Sequence, residues 1–230
     1  MGGGVSVEEK RSLMDSVVKG DGFRVQTLIR RMKRSAGGVV NSFKDASGNS
    51  LLVLAVQSGD ESTVDALLSA KADPSRPSGQ SKSPPLIYVA RVEKELAALG
   101  IARGLLDAKA SVNCQNMFQQ TPLYMCASRH GRGLVQYLLD RGARVQHWND
   151  TFNRSLLMEF FMGGMDIGNI ALLIDKGAEL GDKERDTLLH VAAHAGNHQL
   201  LELILQRTGA GKPHIEARDA YGQTVLHIAA

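Results

Sequence analysis

The strongest constraint on this chain is internal repetition. One short pattern recurs six times: a small or hydroxyl residue (Pro in one unit), a Pro or apolar residue, then Leu, then a helical stretch. It reads Ser50-Leu51-Leu52, Pro84-Pro85-Leu86, Thr121-Pro122-Leu123, Ser155-Leu156-Leu157, Thr187-Leu188-Leu189 and Thr224-Val225-Leu226. The starts are 34, 37, 34, 32 and 37 residues apart, and Leu holds the third place in every unit. Such a period belongs to stacked supersecondary units, each burying its apolar face against its neighbours.

Each complete unit then supplies a second apolar cluster: Leu67-Leu68, Leu105-Leu106, Leu138-Leu139, Leu172-Leu173-Ile174 and Leu203-Ile204-Leu205. A terminator follows, as in Lys71-Ala72-Asp73, Gly142-Ala143-Arg144 or Gly177-Ala178-Glu179. Between the clusters lies a polar break such as Ser58-Gly59-Asp60. The unit therefore reads helix, tight turn, helix, turn. Ser or Thr opens the first helix by accepting a backbone N–H, and Pro is tolerated in its first turn. Gly after the second helix supplies a left-handed cap. Lys71 and Lys109 in that place are expected to cost about 1 kcal/mol each relative to Gly.

These residues resemble the Thr-Pro-Leu-His-x-Ala-Ala signature of the ankyrin repeat family. It is nearly intact in Thr187-Leu188-Leu189-His190-Val191-Ala192-Ala193 and Thr224-Val225-Leu226-His227-Ile228-Ala229-Ala230, and visible in Thr121-Pro122-Leu123-Tyr124-Met125-Cys126-Ala127. The turns Asp45-Ala46-Ser47-Gly48 and Asp219-Ala220-Tyr221-Gly222 match the family's fingers. The resemblance covers about residues 9 to 230. It implies an all-α solenoid of helix-turn-helix units with β-turn or hairpin fingers, and a protein-binding module rather than an enzyme.

On this reading residues 1–8 are a flexible N-terminus and 9–44 a degenerate capping helix pair with its connector. Repeats follow at about 45–78, 79–115, 116–149, 150–181, 182–218 and, incomplete, 219–230. The second has a Pro/Ser-rich basic finger, Arg76 to Pro84, and a longer helical part, through Glu93 to Gly104. The fourth carries Phe160-Phe161 where alanines are usual, rings expected to push neighbouring helices apart. Ala230 falls inside the first helix of a repeat, so the chain is expected to be a fragment of a longer protein.

Composition excludes little beyond this. A balance of 27 basic against 24 acidic residues is too mild to imply nucleic acid as partner. Two cysteines cannot form a disulfide framework, which favours a reducing, cytoplasmic compartment, with nuclear or membrane-associated sites as alternatives. No apolar run approaches a membrane span.

Candidate chemistry is sparse, and neither a cofactor nor a metal is expected. The resemblance implies that His190 and His227 hydrogen-bond within their own turns. His194 and His198 have helical metal-pair spacing, but Gly196 and Asn197 between them mark a turn and no third ligand is evident. Thr208-Gly209-Ala210-Gly211-Lys212-Pro213 resembles the end of a phosphate loop, but Gln206 replaces the first Gly and Pro213 the metal-binding hydroxyl. Cys126, in an alanine place, is expected to be buried, and Cys114, in a turn, exposed. Met1-Gly2-Gly3-Gly4-Val5-Ser6 fits N-myristoylation at Gly2, with Arg30, Arg31, Lys33 and Arg34 as a basic second membrane signal. The same basic run reads equally as a solvated helix end.

The family resemblance implies that fingers and first helices line a concave binding face. The residues offered there for a partner protein are Ser47, Arg76, Lys82, Phe118, Trp148, Phe152, Lys183, Glu184 and Tyr221. Exposed aromatics are favoured interface anchors. The main expectation is a scaffold or adaptor. The alternatives are the targeting part of a larger enzyme, channel or ubiquitin ligase, and a membrane-recruited adaptor.

Overall fold

Capping chemistry sets where the helices start. Ser6 Oγ accepts from Glu9 N (3.1 Å) while Ser6 N donates to Glu9 Oε2 (2.9 Å), a reciprocal box that opens α1, Val7–Val18. Helix therefore begins inside the segment read as a flexible N-terminus. Asp21 opens α2, Gly22–Arg31, by accepting from Arg24 N. The supposed connector contains a third helix, α3, Ala36–Ser42. Asn41 ties it down: its Nδ2 donates to the Lys71 carbonyl and its Oδ1 accepts from Asp73 N, both at 2.8 Å. The computed structural model describes residues 6–32, 36–128, 132–146, 148–149, 154–164, 166–178, 180, 188–208 and 215–229. The chain divides into two units, Met1–Met125 and Cys126–Ala230.

In the first unit Ser50 caps α4, Leu51–Ser58, and Asp60 caps α5, Glu61–Ser69. Next come α6, Pro85–Tyr88, a 3₁₀ turn, Val89–Arg91, then α7, Glu95–Asp107, and α8, Pro122–Met125. First helices α1, α4, α6 and α8 pack successively in one layer, and second helices α2, α5 and α7 in another. Leu13, Leu51, Leu67, Leu86, Ile101 and Leu105 are fully enclosed between them. The extra residues of the second repeat lengthen its second helix: α7 has 13 residues where α5 has 9. The 3₁₀ turn continues α6 and leads into the link Val92–Lys94, where buried Val92 packs over Gly59. Lys94 offers no capping oxygen, so α7 starts without a side-chain cap.

The second unit holds a 3₁₀ turn, Cys126–Ser128, α9, Arg132–Asp140, and a short antiparallel pair, β1, Trp148–Asn149, with β2, Arg154–Ser155. It continues with α10, Leu156–Met162, α11, Ile167–Asp175, α12, Leu188–His194, α13, His198–Thr208, and α14, Val225–Ala229. Second helices α9, α11 and α13 pack in sequence, and α12 packs on α14. An Arg207–Asp175 ion pair ties α13 to α11. Phe160 is 0% exposed. The end of α10 approaches the 3₁₀ turn so closely that a Cβ on Gly163 would lie 2.3 Å from the Ala127 carbonyl. Only glycine at that crossing lets the two backbones come so close.

Candidate protein-binding surface

Three of the fingers are built by one side-chain device. An Asp or Asn that opens a turn accepts backbone N–H groups with its own side-chain oxygen, fixing the loop without help from packing. Asp45 pairs its backbone with Asn49 and accepts from Asn49 N (2.7 Å) and Nδ2 (2.9 Å). Asp219 pairs its backbone with Gln223 and accepts from Gln223 N (2.8 Å) and Tyr221 N (2.9 Å). Asn116 opens an equivalent turn: its Oδ1 accepts from Phe118 N (2.9 Å) and Gln120 N (3.0 Å). Sequence reading passed over Asn116 because it is not Asp. The signal was its offset, since Asp45, Asn116 and Asp219 all stand five residues before Ser50, Thr121 and Thr224.

The second finger is a hairpin in which Ser78 and Ser83 exchange both backbone bonds at 3.1 Å. It joins its neighbours through the main chain. Gly79 N donates to the Gly48 carbonyl (3.0 Å), and Met117 N donates to the Ser81 carbonyl (3.1 Å). Gly79 is required here. Its φ is +74°, and a Cβ would lie 2.5 Å from Asn49 Oδ1. Three fingers of the first unit thus form one hydrogen-bonded ladder.

On this ladder Ser47 and Lys82 are exposed, and Phe118 is 50% exposed. Met117 beside it, absent from the sequence-based candidates, is 59% exposed. Arg76 is half-buried, and its guanidinium donates to the Asn41 carbonyl, so part of its donor set serves the α3 latch rather than a partner. Tyr221 is 88% exposed on its own finger in the second unit. Trp148 lies in β1, and its side chain falls outside the described residues, as do Phe152, Lys183, Glu184, Gly2, Lys33 and Arg34. Arg30 and Arg31 are exposed at the end of α2.

His227 Nδ1 lies 2.6 Å from Thr224 Oγ1, inside its own turn as expected. Buried His190 reaches to the next finger, with Nε2 3.0 Å from the Ala217 carbonyl and 3.2 Å from the Gln223 carbonyl, while Thr187 of its own turn lies outside the described residues. Two carbonyl acceptors at one nitrogen require the proton to sit on Nε2. His194 and His198 are both exposed, and among the described residues no three His, Cys, Asp or Glu gather as a metal site. Thr208 ends α13, and the rest of the Gly211-Lys212 motif lies outside the described residues. Burial pushes the buried Cys126 thiol up to about 12, and also that of Cys114, which is half-buried rather than exposed. Among the described residues no helix is long and apolar enough to cross a membrane.

The profile of the ankyrin repeats, three copies, matches residues 52–149 and 157–230, more than half of the chain. Ankyrin repeat domain-containing protein SAT10 of Stachybotrys chartarum is 29% identical over 81% of this chain. Human ankyrin repeat and KH domain-containing protein 1 is 35% identical over 46% of it. The chain spans 9% of the length of the first relative and 4% of the second. The ankyrin repeat domain of Bcl-3, an IkappaB protein family member, superposes with a TM-score of 0.77 at 23% identity, covering 95% of this chain and 93% of that one. The human ASB11 ankyrin repeat domain gives 0.74 at 21% identity, covering 95% of this chain and 91% of that one. With the repeated Leu, the capped helix pairs and the fingers, these matches show that the chain belongs to the ankyrin repeat family.

Proposed function

We propose that this chain is a scaffold or adaptor segment that binds another protein through its finger tips and the first helices that carry them. Ankyrin repeats are in general protein–protein interaction modules, and typically not catalytic. The observation that carries the proposal is the third finger. Met117 and Phe118 stand exposed side by side on a turn held rigid by Asn116 and by the bond to Ser81. A large apolar pair on a pre-ordered backbone binds with little loss of conformational entropy, which is what an interface anchor needs. A second reading, in which the repeats address a larger protein to its partner, is favoured by the much greater length of the matched relatives.

The test is site-specific photo-cross-linking in cells. A photoreactive residue at Ser47 or Phe118 is expected to give discrete protein adducts, while one at Asp65 or Arg103, exposed on the second helices α5 and α7, gives none. Adducts from the helix positions alone would place the interface elsewhere and reject the proposal.

A further inference from the structure

The first unit's fingers carry side chains where glycine is the unstrained choice. Gln119 holds the place that Gly48 and Gly222 hold in their own turns, and it adopts φ +59°. Lys82, at the tip of the second finger, adopts φ +47°. An L-residue in left-handed backbone persists only where its surroundings hold it there. Both turns do so through the main chain: Gln119 N donates to the Asn116 carbonyl (3.0 Å), and Lys82 N to the Gly79 carbonyl (3.2 Å). Both side chains are exposed, so packing does not account for either. Strain kept at an exposed position points to use of the side chain displayed there.

Charge adds a second, independent observation. The ladder's carboxylates serve its own turns: Asp45 accepts twice from Asn49, and Asp73 accepts from Ser75 N (2.9 Å). The third finger has neutral Asn116 in the acidic place. Lys44 and Lys82 are exposed and have no carboxylate partner among the described residues. The bond from Met117 N to the Ser81 carbonyl sets Lys82 next to the exposed Met117–Phe118 pair. An apolar anchor point therefore lies beside unpaired cations.

We infer that this ladder takes an acidic protein segment carrying one bulky apolar residue. The apolar side chain rests against Met117 and Phe118. Flanking Asp or Glu pairs with Lys82 and, along the ladder, with Lys44, and the Gln119 amide hydrogen-bonds the segment. The inference rests on the proposed function, in which fingers bind a protein, and adds the chemistry of what they bind.

The experiment is selection of a random displayed-peptide library on the whole chain, followed by sorting of the clones on the double variant Met117→Ala/Phe118→Ala. Clones lost on that variant are expected to be enriched in Asp and Glu around a Phe, Leu or Trp. Lys82→Glu should weaken them about tenfold, and added salt should weaken them in parallel. Lys82→Gly should weaken them as well, and because it relieves the backbone, that loss cannot come from unfolding. Finger-dependent clones rich in Lys and Arg, or without charge bias, or indifferent to Lys82→Glu, would overturn the inference while leaving the proposed function standing. Clones that all bind the double variant unchanged would overturn the proposed function, and this inference with it.

Discussion

Four second helices end with the same pair of backbone bonds but not with the same residue. In the second unit Gly142 N donates to Leu139 O and Ala143 N to Leu138 O, and Gly177 and Ala178 repeat this with Ile174 and Leu173. In the first unit Lys71 and Ala72 do so with Leu68 and Leu67, and Lys109 and Ala110 with Leu106 and Leu105. The φ values are +88° and +85° for the glycines, +66° and +74° for the lysines. The stack, not the residue, dictates the turn, and lysine is forced into it. All four described non-glycine residues with positive φ lie in the first unit; in the second, every described one is Gly.

Polar satisfaction runs the other way. Thr63 and Asn169 are both buried three residues after the aspartate that caps their helix. Thr63 donates its hydroxyl to Asp60 Oδ2 (2.6 Å). Asp166 gives its carboxylate to Gly168 N instead, and Asn169, 1% exposed, keeps an Oδ1 with no partner among the described residues. The first unit holds strained turns over satisfied side chains, and the second holds relaxed turns over an unpaired carbonyl.

The largest break in this comparison comes from Gly79→Ala. Left-handed φ together with a Cβ 2.9 Å from Tyr88 Oη and closer still to Asn49 should lower stability by about 2–3 kcal/mol in urea unfolding. Gly142→Ala, with open space around its Cβ, should lose only about 1 kcal/mol. Equal losses would mean that the finger ladder is not tight. Next comes Asn169→Leu, which removes the unpaired carbonyl from an apolar site and should gain roughly 1–2 kcal/mol. A loss on calorimetry would show that the amide is satisfied. Lys71→Gly and Lys109→Gly should each gain about 1 kcal/mol, and Gly177→Lys should lose as much. Unchanged melting temperatures would remove the strain from the account.

The smallest effect concerns pH. Partial burial works against ionisation of Asp60, but hydrogen bonds from Thr63 and Ser62 outweigh it and hold the carboxyl below its ordinary value. A depressed folded value contributes stability above the unfolded value, near 3.9, and that stability fades as pH falls through the folded one. Asp60→Asn keeps a capping oxygen and should flatten the acid limb of the stability–pH curve below about pH 4. A limb as steep as the parent's would show that other carboxylates carry it.

What was legible in the sequence was local. Ser50 and Ser155 accept from Val53 N and Met158 N, as their places before the repeated Leu required. Lys71 and Lys109 take the left-handed cap that the pattern assigned them. The Ser6–Glu9 box was present in the sequence too, but a Gly-rich lead hid it. Long-range bonds that end on the main chain left no trace. Gly79 meets Gly48, His190 meets Ala217 and Asn41 meets Lys71 across about thirty residues, each on a backbone carbonyl of a kind that every residue carries. Met117 was missed because methionine in a turn carries no pattern, while Phe118 was found because exposed rings are rare enough to notice.

If the first unit's finger ladder holds a partner protein, as proposed, the complex must depend on Met117 and Phe118. The direct measurement is calorimetric titration of the whole chain with the protein captured by cross-linking, comparing the parent with Met117→Ala/Phe118→Ala. At unchanged thermal stability, the account predicts an affinity loss of at least about tenfold. An unchanged affinity would contradict it.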